Sequence, residues 1–171
     1  MYKEYITEVP DFPIKGVNFK DISPLLANPK VFNECINEMG RLARMKGKER
    51  VRSPDYWIGI DARGFIFASA LSICCGGGVV MCRKAGKLPP TVFSHSYKTE
   101  YSEDTIQIKQ GSGTVVIVDD VLATGGTLQA VNDLCQTAGY TVRDNLVLID
   151  LQYVPRVDNL DLEVKSLIQY E

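Results

Sequence analysis

Histidine occurs once in this sequence, at His95. His95 lies in a polar stretch, where we expect it to be exposed, and no Ser-His-Asp or Cys-His catalytic pattern is recognisable around it. The sequence also lacks a C-x-x-C pair. Its cysteines are odd in number and sit mostly in apolar surroundings: Cys35, Cys74, Cys75, Cys82 and Cys135. We therefore expect buried, reduced thiols and neither disulfides nor metal ligands.

Further absences narrow the class of protein. The formal net charge is −2 and the isoelectric point is near 5.5, whereas nucleic-acid-binding domains are usually basic. No apolar run approaches the length of a membrane span, and the first residues, MYKEY, lack the apolar core of a signal peptide. The patterns G-x-x-x-x-G-K-[ST] and G-x-G-x-x-G are missing. We therefore expect a cytoplasmic protein without nucleic-acid or membrane partners and without kinase or dinucleotide chemistry.

The length of 171 residues and a hydrophobic share of 45% fit one globular domain over residues 1–171. Asn28-Pro29 predicts the start of a helix that ends near Lys46-Gly47. Apolar strands then alternate with helices: strands at 56–60, 78–82, 114–119, 145–151 and 162–168, and helices at 65–74 and after 127. This order predicts an α/β fold with a central, mainly parallel sheet flanked by helices. Two segments are predicted to be irregular, an N-terminal one at about 6–27 and a long flexible loop at about 84–105.

Residues 115–127 carry the clearest functional signal. Four β-branched residues lead into Asp119-Asp120, and a small glycine-rich turn precedes a helical apolar pattern. A helix start of this kind can bind a phosphate, because its first N–H groups have no partner within the helix. The turn adds hydroxyl donors and glycines that permit close approach: Thr124, Gly125, Gly126 and Thr127. Carboxylates beside a phosphate repel it unless they bind sugar hydroxyls or a cation, so the loop predicts a ribose-phosphate site.

The stretch 115–127 resembles the phosphoribosyl pyrophosphate (PRPP) motif of type I phosphoribosyltransferases. Further segments narrow the resemblance to the adenine phosphoribosyltransferase family: DFPIKGVNFKDISP at 11–24, GIDARGF at 59–65, RKAGKLP at 83–89 and SYKTEY at 96–101. They occur in that family's order, and the resemblance runs over essentially the whole chain. It implies the type I phosphoribosyltransferase fold, with a hood formed by about 6–27 and a flexible loop at about 84–105.

The resemblance implies roles for the residues around PRPP. Asp119 and Asp120 accept hydrogen bonds from the ribose hydroxyls and favour the positive charge that develops on the sugar. The 5′-phosphate is held by the turn that follows them: Ala123, Thr124, Gly125, Gly126 and Thr127. The pyrophosphate is bound by the fork of Arg63, by the Asp61–Ala62 peptide, which is often cis in similar enzymes, and by four basic residues: Lys20, Arg83, Lys84 and Lys87.

The resemblance also implies a base site. Phe19 stacks on the purine, the backbone of Asn18 reads the adenine edge, and Leu151 forms the opposite wall. Glu100 matches the catalytic glutamate, which assists proton movement on the purine N7 side, and Tyr101 helps to close the loop over the substrates. Many relatives carry a branched apolar residue where Asn18 stands and arginine in place of the lysine at position 20. The amide of Asn18 can both donate and accept, so it could add a contact to the base or blur selectivity towards a 6-oxo purine, and the identity of the base stays open.

The implied reaction converts adenine and PRPP to AMP and pyrophosphate. Mg²⁺ is expected to arrive with the phosphates of PRPP and not in an all-protein cage. A homodimer is implied, with the segment 83–87 at its interface. The alternatives are a hypoxanthine or guanine phosphoribosyltransferase, a non-catalytic PRPP-binding regulator and an inactive interaction protein. Retention of Glu100 and the lack of a DNA-binding module before the hood favour the enzyme.

Overall fold

Strands and helices alternate along the residues that the computed structural model describes, which are 2–98, 103–158 and 160–171. A short 3-10 turn at Tyr2–Tyr5 precedes them. The strands are β1 (Thr7–Pro10), β2 (Asn18–Asp21), β3 (Met45–Lys46), β4 (Glu49–Arg50), β5 (Tyr56–Ile60), β6 (Gly78–Lys84), β7 (Phe93–Lys98), β8 (Glu103–Ile108), β9 (Gly113–Leu122), β10 (Tyr140–Leu151) and β11 (Val164–Tyr170). The α-helices are α1 (Ser23–Ala27), α2 (Pro29–Ala43), α3 (Gly64–Cys75) and α4 (Gly126–Thr137).

The centre of the fold is a seven-stranded sheet with the order β11-β10-β9-β5-β6-β8-β7. The first five strands in this order are parallel, and at one edge β8 pairs antiparallel with both β6 and β7. Successive side chains of β9 point to opposite faces of the sheet, and those on both faces are apolar. Val116 and Val118 pack in the cluster that contains α2 and α3, whereas Val115 and Ile117 pack in the cluster that contains α4. The predicted α/β fold with a mainly parallel sheet is confirmed.

Strand order reverses between β5 and β9, and this reversal positions the functional site. The chain leaves β5 towards β6 on one side and later returns to place β9 on the other side. In sheets of this kind ligands bind outside the carboxyl ends of the strands at such a switch point. The loop after β5 begins at Asp61, and Asp119 and Asp120 lie near the carboxyl end of β9. The strand itself runs on to Leu122, three residues beyond the predicted end at 119.

Helix α2 begins as predicted and ends earlier than predicted. The side chain of Asn28 caps it by accepting a hydrogen bond from the Val31 N–H at 3.2 Å, and Pro29 occupies its first turn. The helix ends at Ala43 because the next residues pair as the β3–β4 hairpin. Gly47 has a φ of +60° in the turn of that hairpin, a conformation that glycine adopts readily. This glycine therefore forms the hairpin turn and does not cap the helix.

Two segments predicted to be irregular contain paired strands. In the hood, β1 and β2 form an antiparallel hairpin that places Glu8 opposite Lys20, and the short helix α1 follows it. The predicted long loop at 84–105 contains β7 and the start of β8, which pair with each other and extend the sheet. None of the helices in the described part of the chain has the length and apolar character needed to cross a bilayer.

The cysteines and the histidine depart in part from expectation. All five thiols are free, but only Cys35, Cys82 and Cys135 are buried, while Cys74 is exposed and Cys75 is half-buried. Cys74 lies near the end of α3, where the helix runs out into the glycine-rich turn at 76–78. Burial raises the pKa of the Cys35 and Cys135 thiols to about 12. His95, predicted to be exposed, is half-buried within β7.

Candidate active site

The start of α3 approaches the end of β9 very closely, and a glycine makes this possible. A Cβ atom at Gly64 would lie 2.6 Å from the Val118 carbonyl oxygen and 3.3 Å from Asp119 Oδ1. No real side chain fits at such distances, so the backbones of the two elements can meet only with glycine at this position. This contact brings Arg63, which immediately precedes α3, next to the acidic pair of β9.

Arg63 and Asp120 form an ion pair at the centre of the site. Arg63 Nε lies 3.0 Å from Asp120 Oδ2, and the Asp120 side chain is 5% exposed against 39% for Arg63. Asp120 Oδ2 accepts no well-directed hydrogen bond from the described residues, so the charge of Arg63 is its compensation. Burial raises the pKa of Asp120, and the Arg63 guanidinium opposes that rise.

Asp119 is the more strongly perturbed carboxyl group. Burial raises its pKa well above the usual range, and the neighbouring Asp120 carboxylate raises it further. Its Oδ1 accepts a hydrogen bond from the Asp120 backbone N–H at 2.9 Å, which fixes the side chain. Perturbed carboxyl groups in a cleft are characteristic of functional sites. The two acids therefore form a buried, partly compensated pair that can accept hydrogen bonds from hydroxyl groups.

The turn between β9 and α4 forms a small pocket with Asp119. Gly125 caps the helix with a φ of +88°, which a residue with a side chain rarely adopts. The pocket has a volume of about 100 Å³ and lies at the start of α4. Its lining contains Asp119 and most of the predicted phosphate loop: Ala123, Thr124, Gly125 and Thr127. An anion in this pocket would gain from the helix dipole at the start of α4.

Basic side chains of the segment 83–87 converge on Asp61. Arg83 Nε lies 3.4 Å and Lys87 Nζ 3.8 Å from Asp61 Oδ2. The Asp61–Ala62 peptide is cis, as the resemblance implied. Lys84 instead pairs with Asp104 of β8 at 3.4 Å, so the structure brings two of the three predicted cations of this segment to the loop after β5.

The hood brings Phe19 over Arg63. The Arg63 guanidinium lies 5.0 Å from the centre of the Phe19 ring, and Phe12 packs edge-on against the same ring at 5.2 Å. Residues 18 and 20 lie on the other face of β2, where both side chains donate to Glu8 Oε2 at 2.7 Å. These hydrogen bonds lower the pKa of Glu8. Lys20 is 4% exposed and lies 4.3 Å from the centre of the Tyr170 ring, so it does not join the cations at Asp61.

The remaining predicted residues lie at the carboxyl ends of strands or outside the described residues. Leu151 is buried at the end of β10, in the same apolar cluster as Ile22 and Leu25 beside the hood. Glu100 and Tyr101 lie outside the described residues, so their predicted roles remain predictions. Sequence reasoning missed Arg156, which hydrogen-bonds the phosphate loop, because nothing in the local pattern around 152–160 distinguishes it from a surface arginine.

No three side chains of His, Cys, Asp or Glu among the described residues come close enough to hold a metal ion. Asp119 lines the phosphate pocket, and Asp120 follows it near the end of β9. Carboxylate oxygens suit Mg²⁺, which commonly keeps waters and binds through one or two carboxylates together with substrate phosphates. The donor set therefore fits a magnesium ion that is shared with a phosphorylated ligand.

Comparison with known proteins agrees with this geometry. A family model described as the phosphoribosyl transferase domain matches residues 25–169. The chain is 43% identical to the adenine phosphoribosyltransferase of Bdellovibrio bacteriovorus, over 98% of both proteins. The chain belongs to the adenine phosphoribosyltransferase family. The family expected from the sequence motifs is thus confirmed.

Solved structures of the family share the whole fold. The adenine phosphoribosyltransferase of Thermoanaerobacter pseudethanolicus superposes with a TM-score of 0.88 at 38% identity, covering 98% of this chain and 97% of that one. The enzyme from Giardia lamblia, solved with 9-deazaadenine, gives a TM-score of 0.87 at 32% identity, covering 99% and 96%. The hood and the edge strands are therefore part of the family architecture and not additions to it.

Proposed function

We propose that this protein transfers the phosphoribosyl group of PRPP to adenine and releases AMP and pyrophosphate. One observation carries the proposal: the Asp119–Asp120 pair, the phosphate pocket and Arg63 meet at the switch point of the sheet, with Phe19 of the hood above them. The relatives named above are adenine phosphoribosyltransferases, and one of them was solved with an adenine analogue. Adenine is therefore the proposed base.

The phosphate pocket and the acidic pair hold the ribose 5-phosphate in this proposal. The 5′-phosphate sits at the start of α4, where N–H groups and the helix dipole favour an anion. The sugar hydroxyls donate hydrogen bonds to Asp119 and Asp120. As the bond from the anomeric carbon to pyrophosphate breaks, positive charge builds on the sugar, and the two carboxylates stabilise it. Purine N9 then forms the new bond to the same carbon.

Pyrophosphate binds on the other side of the anomeric carbon, between the loop after β5 and the basic segment. The Arg63 guanidinium donates bidentate hydrogen bonds to the pyrophosphate. The Asp61–Ala62 peptide and the cations of 83–87 complete the site. Mg²⁺, when bound, offsets the charge of the leaving pyrophosphate. For Lys20 to reach the pyrophosphate, its ion pair with Glu8 has to open.

The base lies between Phe19 and Leu151 in this proposal, with the backbone of residue 18 against its edge. The side-chain amide of Asn18 already donates to Glu8, so it has less freedom to select a base than its chemistry alone implies. Glu100 assists proton movement, and Tyr101 helps to cover the site. Closure over the substrates excludes water and suppresses hydrolysis of PRPP.

We also propose that the protein is a homodimer in a reducing compartment such as the cytoplasm. Large apolar side chains of the consecutive elements α3 and β6 are exposed: Ile66, Ile73, Val79 and Met81. Ile73 is 90% exposed. Exposed apolar side chains of this kind mark protein–protein interfaces, and a second copy on α3 and β6 would cover them. The five free thiols are typical of a reducing environment.

The experiment is pyrophosphate release from PRPP and Mg²⁺, with adenine, hypoxanthine and guanine supplied separately. Release with adenine alone supports the proposal. Release with a 6-oxo purine instead keeps the mechanism and overturns the base. PRPP binding without release with any base makes the protein a non-catalytic regulator, and failure to bind PRPP makes it an inactive interaction protein.

A further inference from the structure

The segment 152–158, which follows β10, folds back onto the phosphate loop from outside the pocket. The Arg156 guanidinium donates through Nη1 to the carbonyl oxygens of Ala123 and Leu122, the latter at 3.5 Å. Its Nη2 donates to Asp150 Oδ1. The Val157 backbone N–H donates to the Thr124 carbonyl oxygen at 2.8 Å. Successive carbonyl groups of the loop are thus held from the same side.

These contacts determine which way the loop's N–H groups point. In a trans peptide the C=O of one residue and the N–H of the next point in opposite directions. Because Arg156 holds the Ala123 carbonyl, the Thr124 N–H is directed away from Arg156. Because the Val157 N–H holds the Thr124 carbonyl, the Gly125 N–H is directed away in the same manner. Successive N–H groups of one orientation form an anion-binding concavity, and Thr124 and Gly125 line the phosphate pocket.

We propose that Arg156 is a positioning residue for the 5′-phosphate of PRPP, acting through the loop and not by touching the phosphate. The inference rests on the proposed role of the pocket as the phosphate site. The charge of Arg156 is matched by Asp150, and the two side chains are 28% and 15% exposed. The guanidinium of Arg156 donates its hydrogen bonds to carbonyl and carboxylate oxygens, and Asp150 neutralises its charge. It therefore orients the loop and adds little net attraction for an anion.

Strand β10, which precedes this segment, provides a matched control. Arg143, in the first half of β10, donates to two backbone carbonyls, those of Arg52 at 2.8 Å and Ala43 at 2.9 Å. It also pairs with Asp144 at 3.1 Å. Arg143 therefore has the same kinds of partner as Arg156, but it lies towards the opposite end of the sheet from the phosphate pocket. Loss of either arginine costs structural hydrogen bonds, and only loss of Arg156 disturbs the phosphate loop.

The test compares Arg156→Gln, Arg156→Lys and Arg143→Gln in the full chain, by steady-state kinetics with PRPP and adenine varied in turn and by thermal unfolding. Arg156→Gln is expected to raise the KM for PRPP about tenfold or more, as for loss of hydrogen bonds that orient a binding loop, with the KM for adenine changed about twofold at most. Arg156→Lys keeps the charge beside Asp150, and its KM for PRPP is expected to lie between those of the parent and Arg156→Gln. Arg143→Gln is expected to lower Tm and leave both KM values unchanged.

The inference is overturned if Arg156→Gln changes both KM values equally, or changes neither while lowering Tm as Arg143→Gln does. If the glutamine variant does not fold, a KM for PRPP in Arg156→Lys equal to that of the parent overturns it. Thr124→Ala separates this failure from failure of the phosphate site itself. If Thr124→Ala leaves the KM for PRPP unchanged, the site assignment falls and the inference with it. If Thr124→Ala raises that KM and the Arg156 variants do not, only the inference falls.

Discussion

Arg63 Nε lies 3.0 Å from Asp120 Oδ2, and this single ion pair links the loop after β5 to the carboxyl end of β9. The link depends on Gly64, which lets the start of α3 meet the backbone of Val118. The guanidinium thus compensates the acid that we assign to the ribose, and in the proposed reaction it is also the group that binds the pyrophosphate.

Loss of Arg63 is expected to impair both stability and turnover. Arg63→Gln leaves Asp120 buried without a counter-charge. Because Arg63 is partly exposed, we expect a cost of about 2 kcal/mol, between the values for exposed and buried pairs. Urea unfolding of the variant measures it, and pyrophosphate release measures the accompanying loss of activity.

The double variant Arg63→Gln/Asp120→Asn provides the control for this prediction. Removing both charges leaves no uncompensated ion, so we expect stability close to the parent and activity still lost. A double variant that is as unstable as Arg63→Gln alone would show that Arg63 stabilises the fold by packing and not by its charge.

Asp119→Asn is expected to lower activity and to increase stability relative to the parent as pH rises. Because burial raises the pKa of Asp119 in the folded protein, the folded state holds its proton more tightly than the unfolded chain. The contribution of Asp119 to the free energy of unfolding is therefore full below its unfolded pKa, about 3.8, and declines as pH rises towards the folded pKa. The asparagine variant lacks this decline and can still accept the Asp120 N–H.

Urea midpoints at pH 5 and pH 8 check the sign. The stability of Asp119→Asn relative to the parent is expected to increase with pH, while kcat falls by about 10²-fold or more because the developing positive charge loses a carboxylate. A relative stability that decreases with pH would mean that the pKa of Asp119 is not raised in the folded protein.

Local sequence patterns predict the elements that carry the phosphate site, because their signals are local. The β-branched run before Asp119 and the glycine turn after it specify a strand, a loop and a helix within 25 residues, and all three are present. The cap at Asn28 is equally local. The α/β alternation follows from such segments, and it places the predicted loops at one edge of the sheet.

Interactions between distant segments could not be predicted in this way. The hood shows little periodicity in the sequence because its strands are only four residues long and are separated by a turn. The edge strands β7 and β8 give only weak local signals: β7 alternates three aromatic rings with polar residues inside a polar stretch, and the alternation of β8 is limited to Ile106-Gln107-Ile108, where the sequence predicts only the start of a returning strand. The Arg156 contacts join residues 33 and 34 positions apart, and only the folded chain brings them together.

Phe19→Ala is expected to weaken the binding of adenine and leave the binding of PRPP nearly unchanged. The ring lies above Arg63 and is supported by Phe12, so its removal takes away the proposed stacking surface. Loss of one stacked aromatic ring costs about 1–3 kcal/mol, which corresponds to an increase of about fivefold to 150-fold in the KM for adenine. Phe19→Tyr keeps the surface and serves as the control. An equal rise in the KM for PRPP would contradict a base-stacking role.

Asn18→Val is expected to leave the preference for adenine over hypoxanthine intact. The Asn18 amide donates to Glu8 on the face of β2 opposite Phe19, and the proposed contact with the base comes from its backbone. Competition between the two bases for PRPP measures the preference. A shift towards hypoxanthine or away from it by more than about tenfold, or 1.4 kcal/mol, would assign the side chain a direct role in base selection.

Charge placed in the exposed apolar patch is expected to separate the proposed dimer. Ile73 is 90% and Met81 44% exposed, and they lie on the consecutive elements α3 and β6. Ile73→Lys/Met81→Lys would bury two uncompensated charges per chain at a two-fold interface, a cost that exceeds the margin of most interfaces. Light scattering after gel filtration is expected to give twice the chain mass for the parent and a single chain mass for the variant. Ile14→Lys, at an exposed apolar residue of the hood, is expected to remain a dimer. A parent that is monomeric at micromolar concentration would remove the interface, and a double variant that stays dimeric would place it on another face.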